Sequence, residues 1–166
     1  MSEYKFVVEE LRLAYEGLMN VPELYSMIDQ YFREKQYDKR EVRNFEQTTP
    51  DGKNIELEIQ PYKKITDYAK LVIKIRMFFY GLQDVVVEKD GLKIKMQKGK
   101  VEMIFDSFLE TDYEHRWEQK PTYFLIRTLF DKFIYKIYTT QFEKELEKET
   151  NHIHDMIKSF LNLQRY

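Results

Sequence analysis

The sequence predicts an α+β fold in which a curved antiparallel sheet of about six strands packs on a long C-terminal helix. Two segments, 20–35 and 121–163, place apolar residues on one helical face. Between them, from about 39 to 110, apolar and charged residues alternate with a period of two, as in strands with one solvated face. With 166 residues, we expect a single domain over 1–166.

The first elements are a strand and a helix. Apolar residues alternate with polar or small ones over 11–16, which favours a strand that ends at Gly17; a helix through VVEELRLAYEGL is the alternative. Asn20 suits a helix N-cap, and Glu23 three residues later completes a capping box. The apolar face that follows consists of Val21, Leu24, Tyr25, Ile28, Tyr31 and Phe32.

Turn signals divide the central segment into strands. TPDG at 49–52 leads from REVRNFEQT into KNIELEI, because proline presets φ and glycine accepts a positive φ. The next strand is YAKLVIKIRMFFYG. Asp90-Gly91 predicts a hairpin, and KGK at 98–100 predicts a second turn before VEMIFDSFLE.

The charged side chains of these strands alternate in sign from one strand to the next. The series is Glu56 and Glu58, then Lys74 and Arg76, then Lys93 and Lys95, and finally Glu102 and Asp106. Opposite charges that face each other across an antiparallel pair contribute roughly 0.2–1 kcal/mol. The pattern therefore indicates one solvated face, with the apolar side chains turned toward the core.

The C-terminal segment from Pro121 to about Leu163 has a helical apolar stripe that continues past Phe142. As one straight helix it would be about 65 Å long, whereas a domain of this size is about 40 Å across. We therefore expect either a break at the β-branched pair Thr139–Thr140 or a helical extension over 140–166 that projects or packs separately. A projecting apolar stripe would need a partner.

Composition limits the classes of function. Lys and Arg number 27 against 29 Asp and Glu, and the formal charge of −2 argues against a dedicated nucleic-acid binder. The lack of cysteine excludes disulfides and Cys-based zinc sites. No apolar run has the length of a membrane span, and MSEYKFVVEELR is too charged for a signal peptide. We expect a cytoplasmic protein without a cofactor.

His152 and His154 lie close to Glu149 and Asp155, as metal ligands often do. In a helix, residues two apart point about 200° from each other, so the two imidazoles cannot bind one ion together. We interpret the stretch as a solvated shoulder on each side of Ile153, with a weak metal site and a pH-sensitive contact as alternatives. We expect no metal site.

Two further segments each have two interpretations. The hairpin GLKIKMQKGK carries Lys93, Lys95, Lys98 and Lys100. These lysines either contact the phosphates of RNA or of lipids, or they blunt an exposed strand edge. The loop TDYEHRWEQKP at 111–121 carries Arg116 and Trp117, which we expect either to anchor the last helix on the sheet or to gate a ligand.

The order of elements resembles the helix-grip fold of START-like and polyketide-cyclase-like proteins. The segment from GLQDVVVEKDGLKIKMQKGKVEMIF through TDYEHRW also looks like small archaeal proteins of that type. The resemblance covers nearly the whole chain and implies an apolar cavity between the sheet and the C-terminal helix. Usual members have two short helices after the first strand, where this sequence predicts one.

The resemblance implies a non-catalytic module that holds an apolar or amphipathic small ligand in that cavity. The side chains expected to line it are Leu71, Ile73, Ile75, Met77, Phe79, Met103, Phe105, Phe130 and Phe133. The sequence has no Gly-rich phosphate loop, HExxH motif or nucleophile elbow, so we expect no catalytic residue. The alternatives are a module that binds another protein or a second copy through the C-terminal helix and, third, RNA binding through the lysine hairpin.

Overall fold

The computed structural model describes residues 3–66, 69–111 and 135–163, together with positions 122, 125, 126, 128 and 129. In chain order, its elements are β1 (Glu3–Met19), α1 (Val21–Glu34), β2 (Glu41–Thr49), β3 (Gly52–Ile59), β4 (Tyr62–Lys64), β5 (Ala69–Lys89), β6 (Leu92–Thr111) and α2 (Tyr135–Leu163). The predicted α+β class is confirmed. The first segment is the predicted strand and not the alternative helix.

The six strands form one antiparallel sheet that curves around α2. Its order is β1-β6-β5-β3-β2, and the short β4 also pairs with β5. β5 and β6 have 21 and 20 residues and are joined at Asp90 and Gly91. Both of these residues have a positive φ, as the predicted two-residue hairpin requires. The arrangement is consistent with a helix-grip-like architecture.

Glycines lie inside the long strands, where the sequence predicted strand ends. Gly17 of β1 lies opposite Gly99 of β6, and a register shift between Tyr80 and Gln83 gives β5 an extra residue at Gly81. A Cβ on Gly99 would lie 2.9 Å from the carbonyl oxygen of Tyr80, too close without a shift of the backbone. The turn predicted around Gly99 and the strand end predicted at Gly17 are therefore wrong.

The predicted alternation of charge between strands is confirmed over β3, β5 and the second half of β6, and Arg43 of β2 extends it. Ion pairs join Arg43 to Glu56 at 3.0 Å, Lys74 to Glu58 at 3.5 Å and Arg76 to Asp106 at 2.9 Å. The placing of Lys93 and Lys95 in a separate strand is wrong, because β6 is continuous. Lys93 lies opposite Glu88 in the hairpin, and Lys95 lies opposite Val86.

α1 begins and packs as the sequence predicts. Oδ1 of Asn20 accepts a hydrogen bond from the backbone N–H of Glu23 at 3.1 Å, so the first turn has its N-cap. Most of the apolar face is turned to the core: Leu24, Ile28, Tyr31 and Phe32 are buried. Tyr25, on the same face, is only partly buried and reaches the edge of the sheet.

α2 packs on the apolar face of the sheet. Leu146, Ile153, Ile157 and Leu161 recur at helical spacing and are fully buried in the core. The helix is continuous through Thr139 and Thr140, so the break predicted at this pair is wrong. A β-branched residue inside a helix costs only some tenths of a kcal/mol relative to alanine, and tertiary packing of the adjoining turns offsets that cost.

Candidate functional site

The sheet residues predicted to line a ligand cavity share one face of β5 and β6. Leu71, Ile73, Ile75, Met103 and Phe105 are at most 1% exposed. They form one core cluster with the apolar side chains of α2, so this part of the face is covered by packed side chains. The other predicted lining residues, Phe130 and Phe133, and the predicted loop residues Arg116 and Trp117 lie outside the described residues.

An open cleft of about 350 Å³ lies between α1 and the sheet edge formed by β2 and β3. We call it the apolar cleft. Leu24 and Ile28 of α1 form one wall, and Leu57, Met77 and Phe79 form the floor. Met77 and Phe79 are the two members of the predicted lining set that border this space.

The side chains of β2 that border the apolar cleft are polar. Glu41, Asn44 and Glu46 of this edge strand face the apolar cleft, and β2 is exposed along nearly all of its length. Carboxylate and amide groups are costly to bury without hydrogen-bond partners, so a helix packed down on them would be destabilised. Glu46 instead keeps an exposed ion pair with Lys53 at 2.7 Å. The cleft thus has an apolar floor and a polar rim.

A second cleft, of about 290 Å³, lies beside the C-terminal half of α1 and the loop that follows it. We call it the polar cleft. Its inner wall consists of Ile28, Phe32, Tyr37 and Ile59. Its rim carries Asp29, Arg33, Asp38, Lys39 and Arg40, three basic residues against two acidic ones.

Asp29 is the centre of the charges on this rim. Its carboxylate is 2.7 Å from Nη2 of Arg33 and 3.1 Å from Nζ of Lys39. Hydrogen bonding from Lys39, with the charges of Lys39 and Arg33, lowers the pKa of Asp29 despite partial burial. Hydrogen bonds with Tyr25 and with Asp29 raise the pKa of Lys39. The Asp29 carboxylate therefore pairs with both Arg33 and Lys39, and these three side chains together keep a net positive charge.

Tyr25 and Ile28 border both clefts; Ile28 is fully buried, whereas Tyr25 is partly exposed. The hydroxyl of Tyr25 donates a hydrogen bond to Oε2 of Glu41 at 3.1 Å and so links α1 to β2. Nζ of Lys39 lies 4.8 Å from the centroid of its ring, a cation–π distance. The side chain of Tyr25 is thus the partly exposed portion of the partition between the apolar and the polar cleft, and Ile28 is its buried portion.

Glu149 of α2 is buried, which corrects its predicted place on a solvated shoulder of the helix. Oε2 of Glu149 accepts a hydrogen bond from the hydroxyl of Tyr37 at 2.5 Å, and its carbonyl oxygen accepts one from Tyr31 at 3.0 Å. Burial and the nearby charge of Glu149 raise the pKa of Tyr31 to about 12. Burial and the hydrogen bond to Glu149 also raise the pKa of Tyr37.

The two histidines of α2 have different surroundings. His152 is exposed, and its ring lies 5.4 Å from that of Tyr31. His154 is not solvated as predicted: its side chain is 13% exposed, its ring lies 5.3 Å from Phe105, and Nε2 is 3.1 Å from the carbonyl oxygen of Arg12. In the described part of the chain, no three His, Asp or Glu residues are placed to hold a metal ion.

The lysine hairpin extends beyond the rest of the sheet. Pairing with β1 ends at Gln97, and pairing with β3 ends at Leu82, so 85–96 is a two-stranded ribbon. Leu92 and Val86 are exposed on it. Lys100, at its base, pairs with Glu102 of the same strand at 2.7 Å.

The α1 half of the two clefts was missed by the sequence interpretation. Tyr25 was assigned to the core-facing stripe because its spacing fits that stripe, and Asp29, Arg33 and Lys39 show no motif. The apolar stripe identifies which face of a helix turns inward, but not which strand lies opposite. No local signal in the sequence identifies these residues.

Comparison with protein-family models, with curated proteins and with solved structures finds no match to this chain. Among the helices of the described residues, none is both long enough and apolar enough to cross a membrane.

Proposed function

We propose that the protein is a non-catalytic binding module for an apolar or amphipathic small ligand, and that the ligand lies in the apolar cleft. The observation that carries this proposal is an open space of about 350 Å³ with Leu57, Met77 and Phe79 as its floor. Ligand sites are typically concave, largely apolar and roughly 300–1,000 Å³ in volume. The similarity of the element order to START-like helix-grip proteins supports the same class of function, by analogy of fold alone.

The site proposed here differs from the one the resemblance implies. Beneath α2, side chains such as Ile73 and Phe105 are fully buried against the helix, whereas an open space adjoins Leu57, Met77 and Phe79, which are 7%, 1% and 3% exposed. Beside α1, Ile55 is half-buried and the rim is polar. A ligand there buries its apolar part against the floor while its polar part stays near solvent.

The alternative function, docking of a partner through the stripe of α2 past Phe142, has less support. Leu146, Ile153 and Ile157 of that stripe are fully buried, because the sheet already covers them, and Phe160 is partly buried against the same core. A partner would have to displace the sheet in order to reach them.

Titration of the purified protein with a polarity-sensitive fluorescent fatty-acid analogue tests the proposal. Ile55→Trp fills the cleft and should weaken binding about tenfold or more, because the ligand loses the space that buries its chain. Val86→Trp, at an exposed aliphatic position of the hairpin, is the matched control and should bind as the parent does. Equal affinity of the Ile55→Trp variant and the parent would overturn the proposal.

A further inference from the structure

The ligand of the proposed site can be specified further from the two clefts on either side of Tyr25. We infer that they form one site for an amphipathic molecule with an anionic head group, whose chain lies in the apolar cleft and whose head lies in the polar cleft. This inference rests on the proposed function, since it assigns the class of ligand to the same site.

The first support is the charge of the polar rim. Arg33 and Lys39 both contact Asp29, and the rim as a whole carries three basic residues against two acidic ones. The side chains of Arg33 and Lys39 are 80% and 55% exposed. Either can therefore turn toward an incoming anion without leaving a charge buried and unpaired.

The second support is that the acidic residues at the apolar cleft already have partners. A cationic head would need carboxylates at the mouth of the apolar cleft. There Glu46 is already paired with Lys53 at 2.7 Å, and Glu41 accepts hydrogen bonds from Tyr25 and from Asn44. The excess of positive charge, three basic residues against two acidic ones, thus lies on the rim of the polar cleft.

The third support is the nature of the partition. The Tyr25 hydroxyl donates a hydrogen bond to Glu41 in a partly exposed setting, and Lys39 contacts the same side chain. The cost of losing such a bond to water is smaller than the stabilisation from burying a few methylene groups of a chain. Rotation of the Tyr25 side chain would therefore join the clefts when a ligand long enough to span them binds.

The test compares a medium-chain fatty acid with the alcohol and the amine of the same chain length, at neutral pH and below their micelle concentrations. Calorimetric titration should show the acid binding about tenfold more tightly than the alcohol, since charge-assisted hydrogen bonds are absent from the alcohol. The preference should shrink as salt is added. An amine or alcohol that binds as well as the acid overturns the inference but leaves the proposed function standing, whereas binding of none of the three overturns the proposed function.

Variants locate the head group. Arg33→Gln combined with Lys39→Gln should abolish the preference for the acid and leave the affinity for the alcohol unchanged. Lys93→Gln with Lys95→Gln removes the same charge from the distant hairpin and should retain the preference. Loss of the preference in both double variants would mean that only net charge matters, and this would overturn the assignment of the polar cleft.

Tyr25→Phe tests whether the two clefts are one site. It keeps the ring and removes the hydroxyl that holds the partition to Glu41. The acid should bind about fivefold more tightly to this variant, because the hydrogen bond no longer has to be broken. Unchanged or weaker binding would show that the clefts are separate, and the single-site inference would be overturned.

Discussion

The hydroxyl of Tyr37 donates a 2.5 Å hydrogen bond to Oε2 of Glu149, which ties the loop after α1 to the middle of α2. The hydroxyl of Tyr31 in α1 donates a second hydrogen bond, of 3.0 Å, to the carbonyl oxygen of Glu149. All three residues are buried. The two helices and the loop after α1 therefore share a polar contact inside the core.

Replacing Tyr37 with phenylalanine should lower the free energy of unfolding by about 1–3 kcal/mol. The change keeps the ring and removes the donor, so the buried carboxyl of Glu149 loses its partner. Urea unfolding measures the effect. Tyr80→Phe, at an exposed position of β5, is the control and should change stability by less than about 0.5 kcal/mol. A similarly small effect for Tyr37→Phe would contradict the role assigned to this bond.

Alkaline pH should destabilise the fold through the same tyrosines. The pKa of Tyr31 is raised from 10.0 to about 12, and that of Tyr37 is also raised. Above pH 10 the unfolded chain loses phenolic protons that the folded chain retains, so the free energy of unfolding falls as pH rises from about 10 to about 12. Urea unfolding across this range should give a shallower decline for Tyr31→Phe than for the parent. Identical declines would argue against the assignment.

Gly99→Ala should destabilise the sheet by about 1–3 kcal/mol. The new methyl group would lie 2.9 Å from Cδ2 of Leu82 and 2.9 Å from the carbonyl oxygen of Tyr80, so the bulge must shift. The comparison is Gly91→Asn at the hairpin tip, where no atom lies within 4 Å and φ is +75°. Asparagine tolerates that conformation, and the expected cost is below about 1 kcal/mol. Thermal unfolding measures the loss of stability in each variant. Equal losses in the two variants would show that the close contact at Gly99 is unimportant.

Asn20→Ala should lower the free energy of unfolding by about 0.5–2 kcal/mol, because the N–H of Glu23 loses its capping acceptor. The matched control is Asn151→Ala, at a solvent-exposed position in the middle of α2. It should be neutral or slightly stabilising, since alanine has the higher helix propensity. If chemical denaturation shows that Asn151→Ala lowers stability more than Asn20→Ala does, the capping role of Asn20 is contradicted.

Features that depend on neighbouring residues in the chain could be predicted from the sequence. The capping box identified the start of α1, and Asp90-Gly91 identified the hairpin, because both signals act within a few residues. The alternation of apolar and charged residues predicted which side of β3 and β5 faces the core. In each case the physical cause lies in the local backbone and in the period of the element.

The interpretation of glycines was wrong for a specific reason. The sequence alone does not distinguish a glycine that ends a strand from a glycine that lies in a bulge within a strand. At Gly99 the decisive fact is how close the carbonyl oxygen of Tyr80 lies on the neighbouring strand. That distance depends on the pairing of β5 with β6, so no local pattern could indicate it.

The candidate site likewise has a part that the sequence predicted and a part that it did not. Met77 and Phe79 were predicted to face a ligand because their period turns them to the apolar face, and they do line a cleft. The cover on that face was predicted to be the C-terminal helix throughout, whereas at this edge it is α1. Tyr25 and Asp29 were missed because their role comes from lying opposite β2 and the loop after α1.

The sequence by itself determined the class of fold, the inward face of most elements and the ends of those with caps or tight turns. These follow from backbone geometry and from the removal of apolar side chains from water, which a single segment already encodes. The tertiary structure decided which apolar surfaces became packed core and which remained an open cleft. That outcome depends on where α1 lies relative to the sheet edge formed by β2 and β3, and only the assembled fold brings those elements together.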